Sequence, residues 1–134
     1  MSGTLEDWIE AYRRAWEERD AEAAASLFTS DATYRSNIFE DPHHGRDGIM
    51  SYWRQVTATQ SNIRVQMGRP LVDGDRVALE WWTTMDNEGA PVTLPGCLLL
   101  RFGDDGLCRS LHEYYLFGEG SMEPPPEWGG GAAS

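Results

Sequence analysis

The stretch Asp75-Arg-Val-Ala-Leu-Glu-Trp-Trp-Thr-Thr-Met-Asp86 is the longest unbroken strand signal in the chain. Gly74 and Asp75 supply a turn, and β-branched, aromatic and aliphatic residues then follow without a breaker. Alternation puts Val77, Leu79, Trp81 and Thr83 on one face and Ala78, Glu80, Trp82 and Thr84 on the other. Each face holds a tryptophan, the pattern of a central strand covered on both sides. Glu80 is a lone carboxylate among apolar neighbours. Such a charge costs several kcal/mol unless it is hydrogen-bonded or protonated. Glu80 is therefore the first candidate for a site.

The 134 residues fit one domain with a single core. Asp and Glu number 22 against 11 Lys and Arg, a net charge of -11 that repels phosphate backbones and anionic lipid. Nucleic acid and membrane are thus not expected partners. No apolar run is long enough to span a bilayer, the start lacks a signal-peptide pattern, and Cys97 and Cys108 have no metal spacing. These features predict a cytoplasmic protein with free buried thiols.

Around the central strand, Leu5, Trp8, Ile9, Tyr12, Ala15 and Trp16 recur at helical spacing, with Thr4 as N-cap. Asp20 caps a second, short helix over Ala21–Phe28, and Ala32–Phe39 alternates as a strand. Glu40-Asp-Pro-His-His-Gly45 reads as a loop, and 46–56 as a third helix. Strands follow over 62–71, 92–102 and 107–117, joined by turns at Asp73-Gly-Asp75, Asn87-Glu-Gly-Ala90 and Gly103-Asp-Asp-Gly106. Residues 118–134 hold three consecutive prolines, five glycines and almost no aliphatic residue, and read as a disordered tail after a domain over 1–117. Three helices followed by an antiparallel meander is an α+β order.

Several segments carry a family likeness: Tyr12-x7-Asp20, Leu27-Phe-Thr-Ser-Asp-Ala-Thr-Tyr34, Gly45-Arg-Asp-Gly-Ile49-x3-Trp53, Gly74-Asp-Arg-Val-Ala-Leu-Glu-Trp81 and Leu100-Arg-Phe-x-Asp-Asp-Gly106. In that order the chain resembles the nuclear transport factor 2-like superfamily, and within it the SnoaL-like and ketosteroid isomerase-like proteins. The resemblance implies a cone-shaped, cystatin-like fold, with three N-terminal helices against a curved, mostly antiparallel sheet around an apolar pocket. It implies lining by Tyr12, Trp16, Tyr34, Ser36, Tyr52 and Trp53 from the first helix, first strand and third helix. The sheet would add Glu80, Trp82, Leu98, Leu100, Leu111 and Glu113. The isomerase pattern keeps its tyrosine at Tyr12, but its general base falls at Ser36 and its second oxyanion donor at Leu98. Neither side chain can do that job, so the chain is not expected to be an ordinary ketosteroid isomerase.

Hairpin arithmetic supplies a second carboxylate. Pairing Phe102 with Leu107 sets Gly96 opposite Glu113, and pairing Met85 with Pro91 sets Glu80 opposite Gly96. The two carboxylates would then flank Gly96 at about 10 Å, with Arg109 as countercharge on the same face. Like charges in a low-dielectric pocket separate in pKa, which suits an acid and a base. His43, in the Pro-Gly loop, is a candidate proton relay, and His112 faces away from Glu113. The histidines lack metal spacing, and neither metal nor cofactor is expected.

The resemblance implies a SnoaL-like, cofactor-independent enzyme of the cyclase, isomerase, dehydratase or epoxide-hydrolase type. It would act on a small hydrophobic molecule, polycyclic or terpenoid-like, in a conical pocket, as a homodimer joined through the outer sheet face around Trp81. The alternative is a non-catalytic binding or dimerisation module with a filled core.

Overall fold

The computed structural model describes residues 4–130. Helix α1 (Leu5–Glu17) starts where Thr4 and Asp7 cap each other: the Asp7 N–H donates to Thr4 Oγ1 at 3.1 Å and the Thr4 N–H to Asp7 Oδ2 at 3.2 Å. Its apolar stripe buries Trp8, Ile9, Tyr12, Ala15 and Trp16, as the spacing requires. Helix α2 (Ala21–Ala25) begins at Asp20, whose carboxylate accepts from the Ala23 N–H. It is shorter than expected, because strand β1 (Phe28–Arg35) takes over four residues early. His43–His44 forms β2, a two-residue strand against Thr33 and Tyr34, where the sequence reads only as loop. Helix α3 (Gly45–Thr57) follows directly.

Strands β3 (Gln60–Met67), β4 (Leu71–Asp73), β5 (Arg76–Asn87), β6 (Ala90–Phe102), β7 (Cys108–Tyr115) and β8 (Gly118–Glu119) complete an eight-stranded mixed sheet. Its main order is β2-β1-β7-β6-β5-β3, with β4 beside β5 and β8 beside β6. The meander β3-β5-β6-β7 is antiparallel, as expected, but β1 joins it parallel to β7. The helices pack against one face, where Leu79, Leu98 and Leu111 are fully buried. Among the described residues, no helix is long and apolar enough to cross a membrane.

The hairpin registers differ from the expected ones, with consequences for the site. Between β5 and β6 the turn is the two residues Glu88 and Gly89, at φ 53° and 83°. Two positive φ values in a two-residue loop match the right-handed strand twist, so Asn87 pairs with Ala90. Met85 therefore pairs with Val92, not Pro91, and a one-residue slip reverses faces. Trp81 meets Gly96, and Glu80 meets Cys97 on the outer face. The β6–β7 turn is followed by a bulge, so Glu113 pairs with Leu98 rather than Gly96. That two-residue shift leaves Glu113 on the inner face.

Residues 118–130 are not a disordered tail. After β8, the chain crosses the outer face of the sheet as a strap. The Met122 N–H donates to Thr93 Oγ1, and the Trp82 indole N–H to the Met122 carbonyl at 2.9 Å. Trp128 sets its ring edge-on to Trp82, with centroids 6.1 Å apart. The Gly129 N–H donates to Glu80 Oε1 at 3.2 Å, and its carbonyl accepts from the Arg69 N–H at 2.7 Å. Residues 131–134 of the expected tail lie outside the described residues.

Candidate active site

On the inner face, α1, α3 and the sheet enclose a cavity of about 110 Å³. Helix α1 contributes Tyr12 and Trp16, one turn apart. Helix α3 contributes Tyr52, Trp53, Val56 and Thr57, positions that share one helix face. Tyr34 enters from β1 and Gln60 from the start of β3, while β5 and β6 supply Trp81 and Leu94. Strand β7 supplies Glu113 and Tyr115, two residues apart and hence on one face.

The aromatic rings stand as walls. Tyr12 and Trp53 meet at 88°, Trp16 and Trp53 at 67°, and Trp16 and Trp81 at 70°. The Trp16 indole N–H donates to Gln60 Oε1 at 3.0 Å, which fixes that ring. Trp81 is fixed differently. Its indole lies on Gly96, where an added Cβ would fall 2.3 Å from Cζ2. The glycine is there to admit the ring, not to leave space for a ligand.

Glu113 is the one carboxylate in the lining and is 8 % exposed. Burial without a countercharge pushes its pKa up to about 8. The hydroxyls of Tyr12 and Tyr34 share a hydrogen bond at 3.1 Å and are almost wholly buried. Burial holds both well above the usual tyrosine range, with the nearby Glu113 adding to the rise. Tyr52 and Tyr115 are raised for the same two reasons, burial first. Every phenol around the carboxyl is therefore a neutral donor at ordinary pH.

Of the expected site residues, the structure gathers Tyr12, Trp16, Tyr34, Tyr52, Trp53 and Glu113 around the cavity. Leu98, Leu100 and Leu111 lie on the same face but are packed into the core. Ser36 stops short of the cavity and lies beside Tyr52, where it partly offsets that phenol's rise. His43 is half-buried and stacks on Tyr52 with centroids 4.4 Å apart, one ring away from the lining. Its burial lowers its pKa.

Three expected placements are corrected. Glu80 is exposed on the outer face, bonded to the strap, so the Glu80–Gly96–Glu113 row does not exist. Trp82 lies on that outer face under Trp128, while Trp81 takes the place in the lining. Arg109 is exposed and pairs with Asp75 at 3.0 Å, away from Glu113. Val56, Thr57, Gln60, Trp81, Leu94 and Tyr115 were not anticipated in the lining. Helical spacing from Trp53 would have found Thr57, and strand alternation from Glu113 would have found Tyr115. Among the described residues, no group of three His, Cys, Asp or Glu side chains is placed to hold a metal.

Comparison with known proteins agrees with this architecture. A hypothetical protein with a ketosteroid isomerase-like fold from Catenulispora acidiphila DSM 44928, in complex with trimethylamine, superposes with a TM-score of 0.74. It is 26% identical over 84% of this chain and 87% of its own. SalBIII, an epoxide hydrolase/cyclase-like enzyme in pyran ring formation in the polyether salinomycin, also gives 0.74. It is 20% identical over 85% of this chain and 94% of its own, a likeness of fold. No curated protein sequence matches the chain. The family model for the SnoaL-like domain matches residues 9–111, and with three helices packed on a mixed sheet around one inner cavity the chain belongs to the SnoaL-like domain family.

Proposed function

We propose that the protein is a small-molecule enzyme of the SnoaL-like kind, working by acid–base chemistry without a cofactor, with Glu113 as the group that moves the proton. The observation that carries this reading is a single buried carboxyl, facing an aromatic cavity, with its pKa pushed up to about 8. An acid poised near neutrality both gives and takes a proton with little driving-force penalty. Tyr12, oriented by Tyr34, is the donor to negative charge that develops on a substrate oxygen. The reading assigns no catalytic part to Glu80, which is exposed outside the cavity.

Size narrows the substrate. A dry cavity of ~150 Å³ takes benzene, so about 110 Å³ suits a compact molecule of a few heavy atoms, not the polycyclic one that the family resemblance suggested. The trimethylamine complex of the Catenulispora relative supports a small occupant in a protein of this fold. The same narrowness favours a second reading, a non-catalytic receptor whose cavity is walled by Trp16, Trp53 and Trp81.

Exchange of α-protons of butanone in deuterium oxide separates the two readings. The enzyme accelerates exchange, and Glu113→Gln slows it by roughly 10²–10⁴, the usual size of a lost general base. A folded wild-type protein that leaves the exchange rate at its background value supports the receptor.

A further inference from the structure

The charge inside the cavity is one-sided. Glu113 sits among aromatic walls, and no Lys, Arg or His lines the space among the described residues. A buried carboxyl with no internal partner gives up its proton more readily when a countercharge arrives from outside. The walls suit a cation as well. Trp16, Trp53, Trp81, Tyr12 and Tyr115 line the space as mutually inclined rings, and a ring face turned toward a cation attracts it. The chain's net charge of -11 draws cations toward it and repels anions.

We propose that the molecule held in this cavity is a small alkylammonium compound, its methyl groups against the tryptophan and tyrosine rings and its positive charge on the Glu113 carboxylate. This rests on the acid–base reading of Glu113 and supplies its trigger. A quaternary ammonium brings charge and no proton, so it can pair with the carboxylate only after the Glu113 proton leaves for solvent. Binding thereby turns Glu113 from a neutral acid into a carboxylate. The other titratable groups around Glu113 are Tyr12 on α1, Tyr34 on β1, Tyr52 on α3 and Tyr115 on β7. All are shifted upward and stay neutral, so the released proton comes from Glu113.

Titration calorimetry with tetramethylammonium chloride, and with tert-butanol as a neutral molecule of like shape, tests this on the full-length protein. Affinity for tetramethylammonium rises about tenfold between about pH 6 and pH 7, with about one proton released per molecule bound. That release reads out as a difference in heat between phosphate and Tris buffers. Glu113→Gln loses this binding by more than about tenfold and keeps whatever weak affinity tert-butanol shows. The pH dependence needs only the wild-type protein, so a poorly folding variant does not block the test. Equal affinity for the two ligands, no binding of the cation, or binding without proton release overturns the proposal. In any of those cases, carboxyl-labelled NMR showing Glu113 titrating near 8 leaves the acid–base reading standing. A titration in the ordinary carboxylate range removes both.

Discussion

Glu113 ties folding to pH with a sign opposite to that of a salt-bridged carboxylate. Its folded pKa of about 8 lies above the ordinary glutamate value of 4.5, so between those values the folded chain holds a proton that the unfolded chain has lost. Its contribution is intact below the lower value and is lost as pH rises through the upper one. Denaturant unfolding from pH 5.5 to pH 8.5 should show wild type losing on the order of a few kcal/mol relative to Glu113→Gln. Parallel curves for the two proteins would show that the carboxyl is not desolvated. Gly96 gives a second residue-scale prediction. Since an added Cβ meets the Trp81 ring at 2.3 Å, Gly96→Ala should cost about 1–3 kcal/mol and alter tryptophan fluorescence. A fully stable Gly96→Ala protein would mean that Trp81 has another position available. Both residues were visible in the sequence, but their relation was not. Glu113 kept its face because its hairpin moved by two residues, whereas Glu80 changed sides on a shift of one.

At the scale of elements, whatever a strong local rule governs was legible. The 3.6-residue stripe and the Thr4 and Asp20 caps located α1 and α2, and unbroken alternation located β5. The two-residue strands β2 and β8 carry no periodicity, because pairing with Thr33, Tyr34, Val92 and Thr93 alone makes them strands. The strap was read as disordered since composition counts apolar area but not the partners for a few well-placed groups. Trp128, Met122 and Gly129 each find one on the sheet. Truncation after Phe117 removes those contacts and bares Trp82. It should lower Tm by more than about 5 °C, and Trp82→Ala should reproduce part of the loss. A change of a degree or two would show that the strap rests on the sheet without stabilising it.

For the whole molecule, order and spacing of the motifs reached the family, while the cavity's size and inner charge needed the hairpin registers. The homodimer expected through Trp81 cannot form there, because Trp81 is buried against Gly96. We propose that a homodimer instead forms through the part of the outer face that the strap leaves open, where Leu71, Leu99 and Tyr114 are exposed. Leu99→Asp should then give a monomer in sedimentation equilibrium while Trp81→Ala leaves association unchanged; a wild-type monomer would end the idea.

Strand β7 lies between β1 and β6 and pairs Phe28 with Cys108. On the ribosome, α1, α2 and β1 emerge before the rest of the sheet, yet apart from the two-residue β2 the strand partner of β1 is made only after β3 to β6. Tyr12 and Tyr34 are thus synthesised before Glu113, and the sides of Trp16 and Trp8 that Trp81 and Phe102 cover stay open until β5 and β6 follow. Long-range pairing of this kind slows folding and lengthens exposure to aggregation. The architecture that encloses the carboxyl thus completes its core only once β7 has been made.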